Sequence, residues 1–330
     1  MLVETSCEIC GENHWQVLHH KTFYKSEIRE STIYKQKRLH VLFDKWFPNS
    51  QSVSLKYVLC ENCGFILYLP RPEEQDIISK YKYLAELIKV KKSIPMELNP
   101  HDIKRSDNLF RFLEKKIDLG RVFRILDFGG GDGRLMRAFE KRGKQCYLVD
   151  FSPSFDRHII KLSNTINDLD QEEKFDLLIC SHVMEHVSQP LQTLKRLVSH
   201  LNEEGWIFIE VPLEIWKHPP SQTEPVTHIN FFTPNSLYNL MILSGLNVKS
   251  CELASYLHQS GNEFTGVRAI AWKGIHNKNS QCRRLRIPDA KKFLKPKFLL
   301  ILKYHFCSPM RIPKVILRKI INILNRIFLV

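Results

Sequence analysis

The side chains most suggestive of a ligand site lie in one short segment, where an acid precedes glycines at alternate positions. Asp127 lies near the end of the apolar segment 124–128, and Gly129, Gly131 and Gly133 follow it. A strand that turns sharply into a helix through glycines brings bare backbone close to a ligand and points helix N–H groups at it. The segment therefore predicts a ligand-binding turn; a tight turn without a ligand is the alternative.

A second acid ends the next apolar segment. Residues 145–149 are β-prone, and Asp150 follows them, seventeen positions after Gly133. Nucleotide-binding α/β folds place a ribose-binding acid at a similar offset. The spacing therefore predicts that Asp150 binds a ribose, and an ordinary carboxylate at a strand end is the alternative.

The Asp-x-Gly-x-Gly-x-Gly spacing of residues 127–133 resembles motif I of the class I S-adenosylmethionine (SAM)-dependent methyltransferases. The resemblance extends over about residues 124–273. It implies that Asp127 holds the ammonium group of SAM, that the glycines admit its carboxylate and ribose, and that Asp150 accepts hydrogen bonds from both ribose hydroxyls. It also places the adenine beside Asp168, with Phe151 as a stacking partner or as part of the core. The predicted cofactor-binding residues are Asp127, Gly129, Gly131, Gly133, Asp150, Phe151, Asp168 and Ser181.

A further group of polar residues follows the apolar segment 176–180. The stretch 181–190 begins Ser-His-Val-Met-Glu-His and closely resembles the motif after the fourth strand of the same family. Ligands of α/β folds bind at the carboxyl ends of the strands, so Ser181, His182 and Glu185 are expected near the cofactor and the acceptor. Family members that methylate amino groups of nucleic-acid bases carry Asn/Asp-Pro-Pro-aromatic here, and its absence argues against that activity.

Methyl transfer to a hydroxyl needs a group that accepts the proton, and a histidine with a near-neutral pKa suits this role. His228 lies in a segment that resembles the family region after the fifth strand, where a His or Glu commonly faces the acceptor. We therefore predict His228 as the general base. His182 and Glu185 are the further catalytic candidates, whereas His186 is expected to be structural or adjacent to the cofactor. A hydrogen-bonded histidine at the rim of the cleft is the alternative for each.

Two Cys-x-x-Cys-Gly sequences predict a metal site near the start of the chain. Two intervening residues let both thiolates reach one ion, and the glycine permits a positive-φ turn whose N–H groups bond the sulfurs. Four thiolates leave no open coordination position, so a structural zinc ion is expected. A redox pair, or two unrelated pairs of buried cysteines, are the alternatives. The predicted ligands are Cys7, Cys10, Cys60 and Cys63.

The elements that position these residues alternate between strand and helix. This alternation predicts an α/β fold, a seven-stranded Rossmann-like sheet that is mostly parallel, with helices on both faces. Its closing antiparallel hairpin is expected at 247–252 and 267–272, and a helix is expected over 134–142 after the glycine turn. The predicted regions are a zinc-ribbon-like module (1–72), a helical connector (73–120), the methyltransferase core (121–275) and a basic amphipathic tail (276–330).

The net charge of +14 is concentrated in the tail, because residues 281–330 contain thirteen Lys and Arg against one acid. Residues 291–330 alternate basic side chains with Leu, Ile and Phe. This pattern predicts a basic amphipathic helix on an anionic membrane surface. Docking on the core or on a second subunit is the alternative, and RNA is the least favoured because aromatic residues for base stacking are sparse.

Nine cysteines in 330 residues, with no signal peptide at the start, predict a cytoplasmic protein that could lie at the inner face of the membrane. The four-cysteine module and the core together resemble bacterial enzymes that methylate sugars. We therefore expect a small-molecule or glycan acceptor, including a lipid-linked glycan, in surface-polysaccharide or related biosynthesis. An RNA methyltransferase and a non-catalytic binding protein are the alternatives, and nucleic acid is not the expected partner.

Overall fold

The computed structural model describes five stretches of the chain, and these contain every residue predicted above to bind a cofactor or metal or to act in catalysis. The predicted tail, residues 276–330, lies outside them together with its amphipathic helix. Within the described stretches, no helix is long and apolar enough to cross a membrane. The described residues are 6–89, 100–152, 156–214, 226–258 and 261–274.

The strands of the described residues form two sheets. They are β1 (Trp15–Tyr24), β2 (Ser52–Cys60), β3 (Ile66–Leu69), β4 (Arg124–Phe128), β5 (Gln145–Val149), β6 (Ile160–Ser163), β7 (Phe175–Ser181), β8 (Leu201–Pro212), β9 (Asn230–Phe231), β10 (Asn247–Leu257) and β11 (Glu263–Trp272).

The larger sheet has seven strands in the order β10-β11-β8-β7-β4-β5-β6. The five strands from β8 to β6 run parallel, whereas β11 is antiparallel to both β8 and β10. The predicted fold class is therefore confirmed. The closing hairpin is longer than the residues predicted for it, since its strands cover Asn247–Leu257 and Glu263–Trp272.

The centre of this sheet is apolar on both faces. Ile125, Leu126, Leu177, Leu178 and Ile179 are each fully buried. Strands covered by helices on both sides read as continuous apolar runs, which is why β4 and β7 show no alternation in the sequence. Such strands are rigid, and they place the polar residues at their carboxyl ends along one edge of the sheet.

The helix expected directly after the glycine turn is shorter than predicted. Only a 3₁₀ turn over Arg134–Met136 and the four-residue α5 follow the glycine turn, instead of a helix over 134–142. The helical segment ends early because Gly143 turns back toward β5 with a φ of 77°. The α-helices are α1 (Glu27–Glu30), α2 (Ile33–His40), α3 (Glu74–Lys89), α4 (Pro100–Glu114), α5 (Arg137–Glu140), α6 (Pro190–Ser199) and α7 (Pro234–Leu243).

The smaller sheet joins the beginning of the chain to the core. Its order is β1-β2-β3-β9, and its last strand is supplied by residues 230–231, far along the chain from the other three. Phe231 packs edge-on against Tyr57 with ring centroids 4.9 Å apart, and Phe232 lies 5.2 Å from Phe65. The region expected to be a module over 1–72 therefore shares one continuous hydrophobic core with the larger sheet.

Candidate active site

The turn after β4 has the shape that its glycines predict. Gly129, Gly131 and Gly133 have φ angles of 70°, 65° and 79°, a region that residues with a Cβ rarely adopt. A Cβ on Gly131 would meet open space, so this backbone is bare toward the neighbouring cavity. A Cβ on Gly130 would lie 2.0 Å from Oδ2 of Asp127, so this position also requires glycine. The alternating pattern did not reveal that requirement.

Asp127 lies beneath this turn and is 1% exposed. Neither of its carboxylate oxygens has a hydrogen-bond partner among the described residues. Burial, followed by the charge on Asp150, raises the pKa of the Asp127 carboxyl to about 7, and Arg105 opposes the shift. A buried carboxylate without a partner destabilises a folded protein. A cationic ligand group that paired with Asp127 would remove this cost, so the position favours binding of such a group.

Asp150 is held in place by the same turn. The Gly131 N–H donates to its Oδ2 at 3.0 Å, and the Ser152 N–H donates to its Oδ1 at 2.6 Å. The carboxylate lies on the wall of a cavity of about 340 Å³, called here the smaller cavity. Phe151 and Tyr81 also line it, and their rings stack 5.8 Å apart at an interplanar angle of 4°. An acid and two parallel aromatic rings suit a nucleoside.

Asp168 does not lie on the smaller cavity, contrary to its predicted place beside the adenine. Its side chain is exposed in a 3₁₀ turn and accepts a hydrogen bond from Thr165 Oγ1 at 2.7 Å. Asn164, Thr165 and Ile166 line the cavity instead. Asp168 follows Ile166 by two residues in the same 3₁₀ turn, and its side chain turns back to Thr165 instead of facing the cavity.

A larger cavity of about 600 Å³ adjoins the smaller one. Gly129, His182 and His186 line both cavities. A ligand that reached from Asp150 to Asp127 would therefore pass the two histidines. The larger cavity is also lined by Arg105, Ser181, Glu185, Glu214, His228 and Tyr256.

The end of β7 carries a network of charged residues. His182 has a φ of 59°, unusual for a residue with a Cβ, and this places its ring between two acids. Its Nδ1 lies 3.3 Å from Glu185 Oε1, and its Nε2 lies 3.3 Å from Glu210 Oε1. Burial alone would lower the pKa of His182, but the two carboxylates raise it to about 9. His182 is therefore protonated at neutral pH and unsuited to accept a proton there.

Ser181 belongs to the same network and does not project freely into the cleft. Its hydroxyl donates to Glu210 Oε1 at 3.0 Å and accepts from Arg105 Nη2 at 3.0 Å. Arg268 Nε donates to the other Glu210 oxygen at 2.6 Å. Burial by itself would raise the pKa of Glu210. His182 and the two guanidinium groups outweigh this effect, so the pKa is lowered and Glu210 is ionised.

His228 and His186 lie side by side at the junction of the cavities, with ring centroids 4.8 Å apart. The His228 Nδ1–H donates to Glu214 Oε2 at 2.5 Å, and the His186 Nδ1–H donates to the Thr227 carbonyl at 2.6 Å. Burial lowers the pKa of both rings. For His186 it prevails and the pKa falls well below the ordinary value, whereas Glu214 reverses the effect and raises the pKa of His228.

The segment that carries His228 is held by residues from the first ninety positions. The buried Lys80 ammonium donates to the carbonyls of Val226 and Thr227 at 2.7 and 3.2 Å. Arg38 Nε donates to Thr227 Oγ1 at 2.8 Å. The general-base candidate therefore depends on the region before the core for its position.

Arg71 connects the cysteine region to the cleft. Its guanidinium donates to the Ser188 carbonyl at 2.7 Å and to Asn230 Oδ1 at 2.7 Å, and Ser188 lines the smaller cavity. Nε also lies 3.9 Å from Glu8, which stands between Cys7 and Cys10. The first cysteine pair and the smaller cavity are thus linked by one buried side chain.

The four cysteines meet, as predicted, with their sulfurs within 4.8 Å of one another. The Cys7–Cys63 and Cys10–Cys60 Sγ distances are both 3.5 Å. Four sulfurs at a Zn–S distance of 2.3 Å in tetrahedral geometry lie roughly 3.8 Å apart, so the donor set fits zinc. The two glycines adopt positive φ and their own N–H groups donate to the carbonyls of Cys7 and Cys60. Other N–H groups of the same turns, those of Glu12 and Cys63, bond the sulfurs of Cys10 and Cys60.

Sequence reasoning missed several residues that line the larger cavity or hold the residues that do. Arg105 comes from α4, before the region of resemblance, and no pattern marks it. Glu210 could have been found, because it faces Ser181 in the parallel register of β7 and β8 near their carboxyl ends. Glu214 and Tyr256 reach the cavity only through the packing of β8 against the closing hairpin.

The fold and the edge of the sheet that carries these residues define a methyltransferase. Residues 75–250, just over half of the chain, match the methyltransferase domain family, and the chain therefore belongs to it. The assignment made from motif I is thus confirmed at the level of the family. The match begins before motif I and includes α3 and α4, which sequence reasoning had placed in a connector.

Among curated proteins, the chain is similar to a ubiquinone biosynthesis O-methyltransferase of Xanthomonas campestris, with 29% identity over 99 residues. The match covers 26% of this chain and spans 41% of the length of that relative. Solved structures with a similar fold include a SAM-dependent methyltransferase of Methanosarcina mazei, at 13% identity, covering 55% of this chain and 100% of that one, with a TM-score of 0.40. The 1,6-didemethyltoxoflavin-N1-methyltransferase of Burkholderia thailandensis is 17% identical, with coverage of 61% and 87% and a TM-score of 0.43.

Proposed function

We propose that the protein transfers the methyl group of SAM to a hydroxyl oxygen of a small-molecule or glycan acceptor. The observation that carries the proposal is Asp127, whose two buried oxygens lack partners beneath a bare glycine turn, at a cavity that also contains a His228–Glu214 pair. SAM, when bound, supplies a methyl group activated by the sulfonium. The other requirements are met by side chains of this chain.

The chain has a complementary group for each part of SAM. The carboxylate of Asp127 would hold the ammonium group, and Asp150 would accept hydrogen bonds from the ribose hydroxyls. Phe151 and Tyr81 would pack against the adenine in the smaller cavity, which Asp168 does not line. Because Gly129 and His182 line both cavities, the reacting part of the cofactor belongs between them.

His228 is the general base of this proposal. Its Nδ1–H is held by Glu214, so the neutral ring presents Nε2 for the proton of the acceptor hydroxyl. The carboxylate also stabilises the imidazolium that results, which explains the raised pKa. His182 and Glu185 have a different role: the His182 imidazolium is held by Glu185 and Glu210, and it positions the end of β7 beside the cofactor.

The acceptor would lie against the closing hairpin. Tyr256 packs 4.5 Å from His182 and 6.1 Å from Phe264, and both aromatic rings line the larger cavity. Aromatic faces beside charged groups suit a ring that is apolar on its faces and polar at its edge, as in a sugar or a phenol. Oxygen as the nucleophile also agrees with the curated relative, which is named an O-methyltransferase.

The experiment combines calorimetry with a methyl-transfer assay. Purified protein is titrated with SAM, and radiolabelled transfer is then measured with nucleotide sugars, lipid-linked sugars and phenols. Binding of SAM with about one site per chain and transfer to a hydroxyl acceptor are expected. Absence of SAM binding by folded protein would refute the proposal, and transfer to nitrogen acceptors alone would refute its oxygen specificity.

The general base is tested by the pH dependence of the same reaction. A base works in its neutral form, so at saturating SAM, where the ionisation of Asp127 no longer limits cofactor binding, the rate should rise with pH through an apparent pKa above the ordinary value for histidine. Glu214→Gln should move that pKa to a lower value, because the carboxylate is what raises it. His228→Gln should remove this limb of the profile and leave SAM affinity within a few-fold. An unchanged profile in both variants would contradict the assignment.

A further inference from the structure

A second cluster of potential metal ligands lies apart from the four cysteines, at the junction of the two cavities. One carboxylate oxygen of Glu185 and one ring nitrogen each of His186 and His228 lie within 4.8 Å of one another. Glu185 is 1% exposed, and neither of its carboxylate oxygens has a hydrogen-bond partner among the described residues. Its nearest ring nitrogens are His182 Nδ1 at 3.3 Å and His186 Nε2 at 3.9 Å.

The two histidines are already oriented as metal ligands usually are. A metal-bound histidine typically donates its other ring N–H to a carboxylate or a backbone carbonyl, which sets the tautomer and the ring direction. The His186 Nδ1–H donates to the Thr227 carbonyl, and the His228 Nδ1–H donates to Glu214. In both rings Nε2 is therefore the unprotonated nitrogen, which is the form that binds a cation.

We propose that Glu185, His186 and His228 bind a divalent cation in the acceptor cleft. Two imidazoles and one carboxylate favour Mn²⁺, Fe²⁺, Co²⁺ or Zn²⁺ over Mg²⁺ and Ca²⁺, which prefer oxygen ligands. Three protein ligands leave coordination positions open for oxygens of the acceptor. The inference rests on the proposed function and deepens it, because it favours an acceptor with two neighbouring oxygens, such as a vicinal diol or a catechol.

The cation would change how the acceptor is activated. A hydroxyl bound to a divalent cation loses its proton more readily, and here the proton passes to water. The oxygen then forms its bond to the methyl carbon while the sulfur–methyl bond breaks, and the sulfur keeps the electron pair. In the cation-bound protein, Nε2 of His228 would bind the cation and could not accept the proton. The cation would therefore activate the hydroxyl in place of the general base. The cation-free protein would use His228 itself.

Two nearby basic side chains oppose binding. His182 Nδ1 already lies 3.3 Å from Glu185, and Lys80 Nζ donates to the same Thr227 carbonyl as His186. Glu214 adds a second carboxylate behind His228. The cation must compete with His182 for Glu185, so we expect a reversible site and not a permanently bound ion.

The test is a titration of the zinc-loaded full chain with Mn²⁺, followed by electron paramagnetic resonance. Thiolates select zinc over Mn²⁺, so the four-cysteine site does not contribute. One Mn²⁺ per chain is expected, with at least tenfold weaker binding in Glu185→Gln and in His186→Gln. His158→Gln is the matched control, because this histidine is 42% exposed and lies outside both cavities. Its affinity should equal that of the unmodified protein.

SAM titrations on the same samples separate the two hypotheses. If SAM binds but Mn²⁺ and Co²⁺ do not bind at millimolar concentration, the cation site is refuted and the proposed function stands. Equal Mn²⁺ affinity in Glu185→Gln and the unmodified protein would also refute the site, provided that unfolding temperatures show both to be folded. Mn²⁺ binding without SAM binding would support the site and refute the methyl-transfer proposal.

Discussion

Asp127→Asn is expected to weaken SAM binding while making the ligand-free protein less sensitive to pH. The carboxylate is fully buried, its oxygens lack partners, and its pKa is about 7. An aspartate in an unfolded chain has a pKa of about 3.9. The folded protein therefore binds the proton more tightly than the unfolded chain, so stability falls as pH rises between these two values.

The size of the effect follows from the difference of about three pKa units. Each unit corresponds to about 1.4 kcal/mol, so ionisation of Asp127 destabilises the ligand-free fold by up to about 4 kcal/mol. Between pH 6 and pH 8 this contribution changes by about 1.4 kcal/mol. Denaturant unfolding should show this loss in the unmodified protein and its absence in Asp127→Asn.

The affinity for SAM should rise with pH, whereas the stability of the ligand-free protein falls. Only the ionised carboxylate pairs with an ammonium group, so the affinity of the unmodified protein for SAM should rise about tenfold from pH 6 to pH 8. Removing one partner of a buried ion pair costs about 3–5 kcal/mol, or roughly 100- to 4000-fold in Kd. Calorimetry on Asp127→Asn should therefore show weak binding without this pH dependence. Affinity for SAM equal to that of the unmodified protein would refute the role of Asp127.

Three further predictions concern other parts of the chain. Cys60→Ser should reduce the zinc content from one ion per chain and lower the unfolding temperature; unchanged stability after chelation of the unmodified protein would contradict a structural metal. Arg71→Lys should cost roughly 1–3 kcal/mol of stability, because an ammonium cannot reproduce the fork that reaches Ser188; Arg121→Lys, whose side chain is 86% exposed, is the control. A chain without residues 281–330 should no longer co-sediment with anionic vesicles, and equal sedimentation would exclude membrane attachment through the tail.

Local patterns in the sequence predicted the parts of the site that are local in the chain. The glycine turn, its two acids and the cysteine pairs depend on backbone conformation and spacing within a few residues. Asp127, Asp150 and the four cysteines accordingly lie where spacing placed them. Asp168 differs from them, because the 3₁₀ turn after β6 directs its side chain to Thr165 and off the wall of the smaller cavity.

The amino-acid sequence by itself determined the succession of strands and helices and the acids at the ends of β4 and β5. Apolar runs and glycines act on the backbone within a few residues, so their effects can be predicted from the sequence without knowledge of the tertiary structure. Only the tertiary structure decided that Lys80 and Arg71 hold the cleft, that Glu214 orients His228, and that β9 completes a sheet begun by β1. These contacts join residues from 14 to 165 positions apart, and such contacts depend on how whole elements pack.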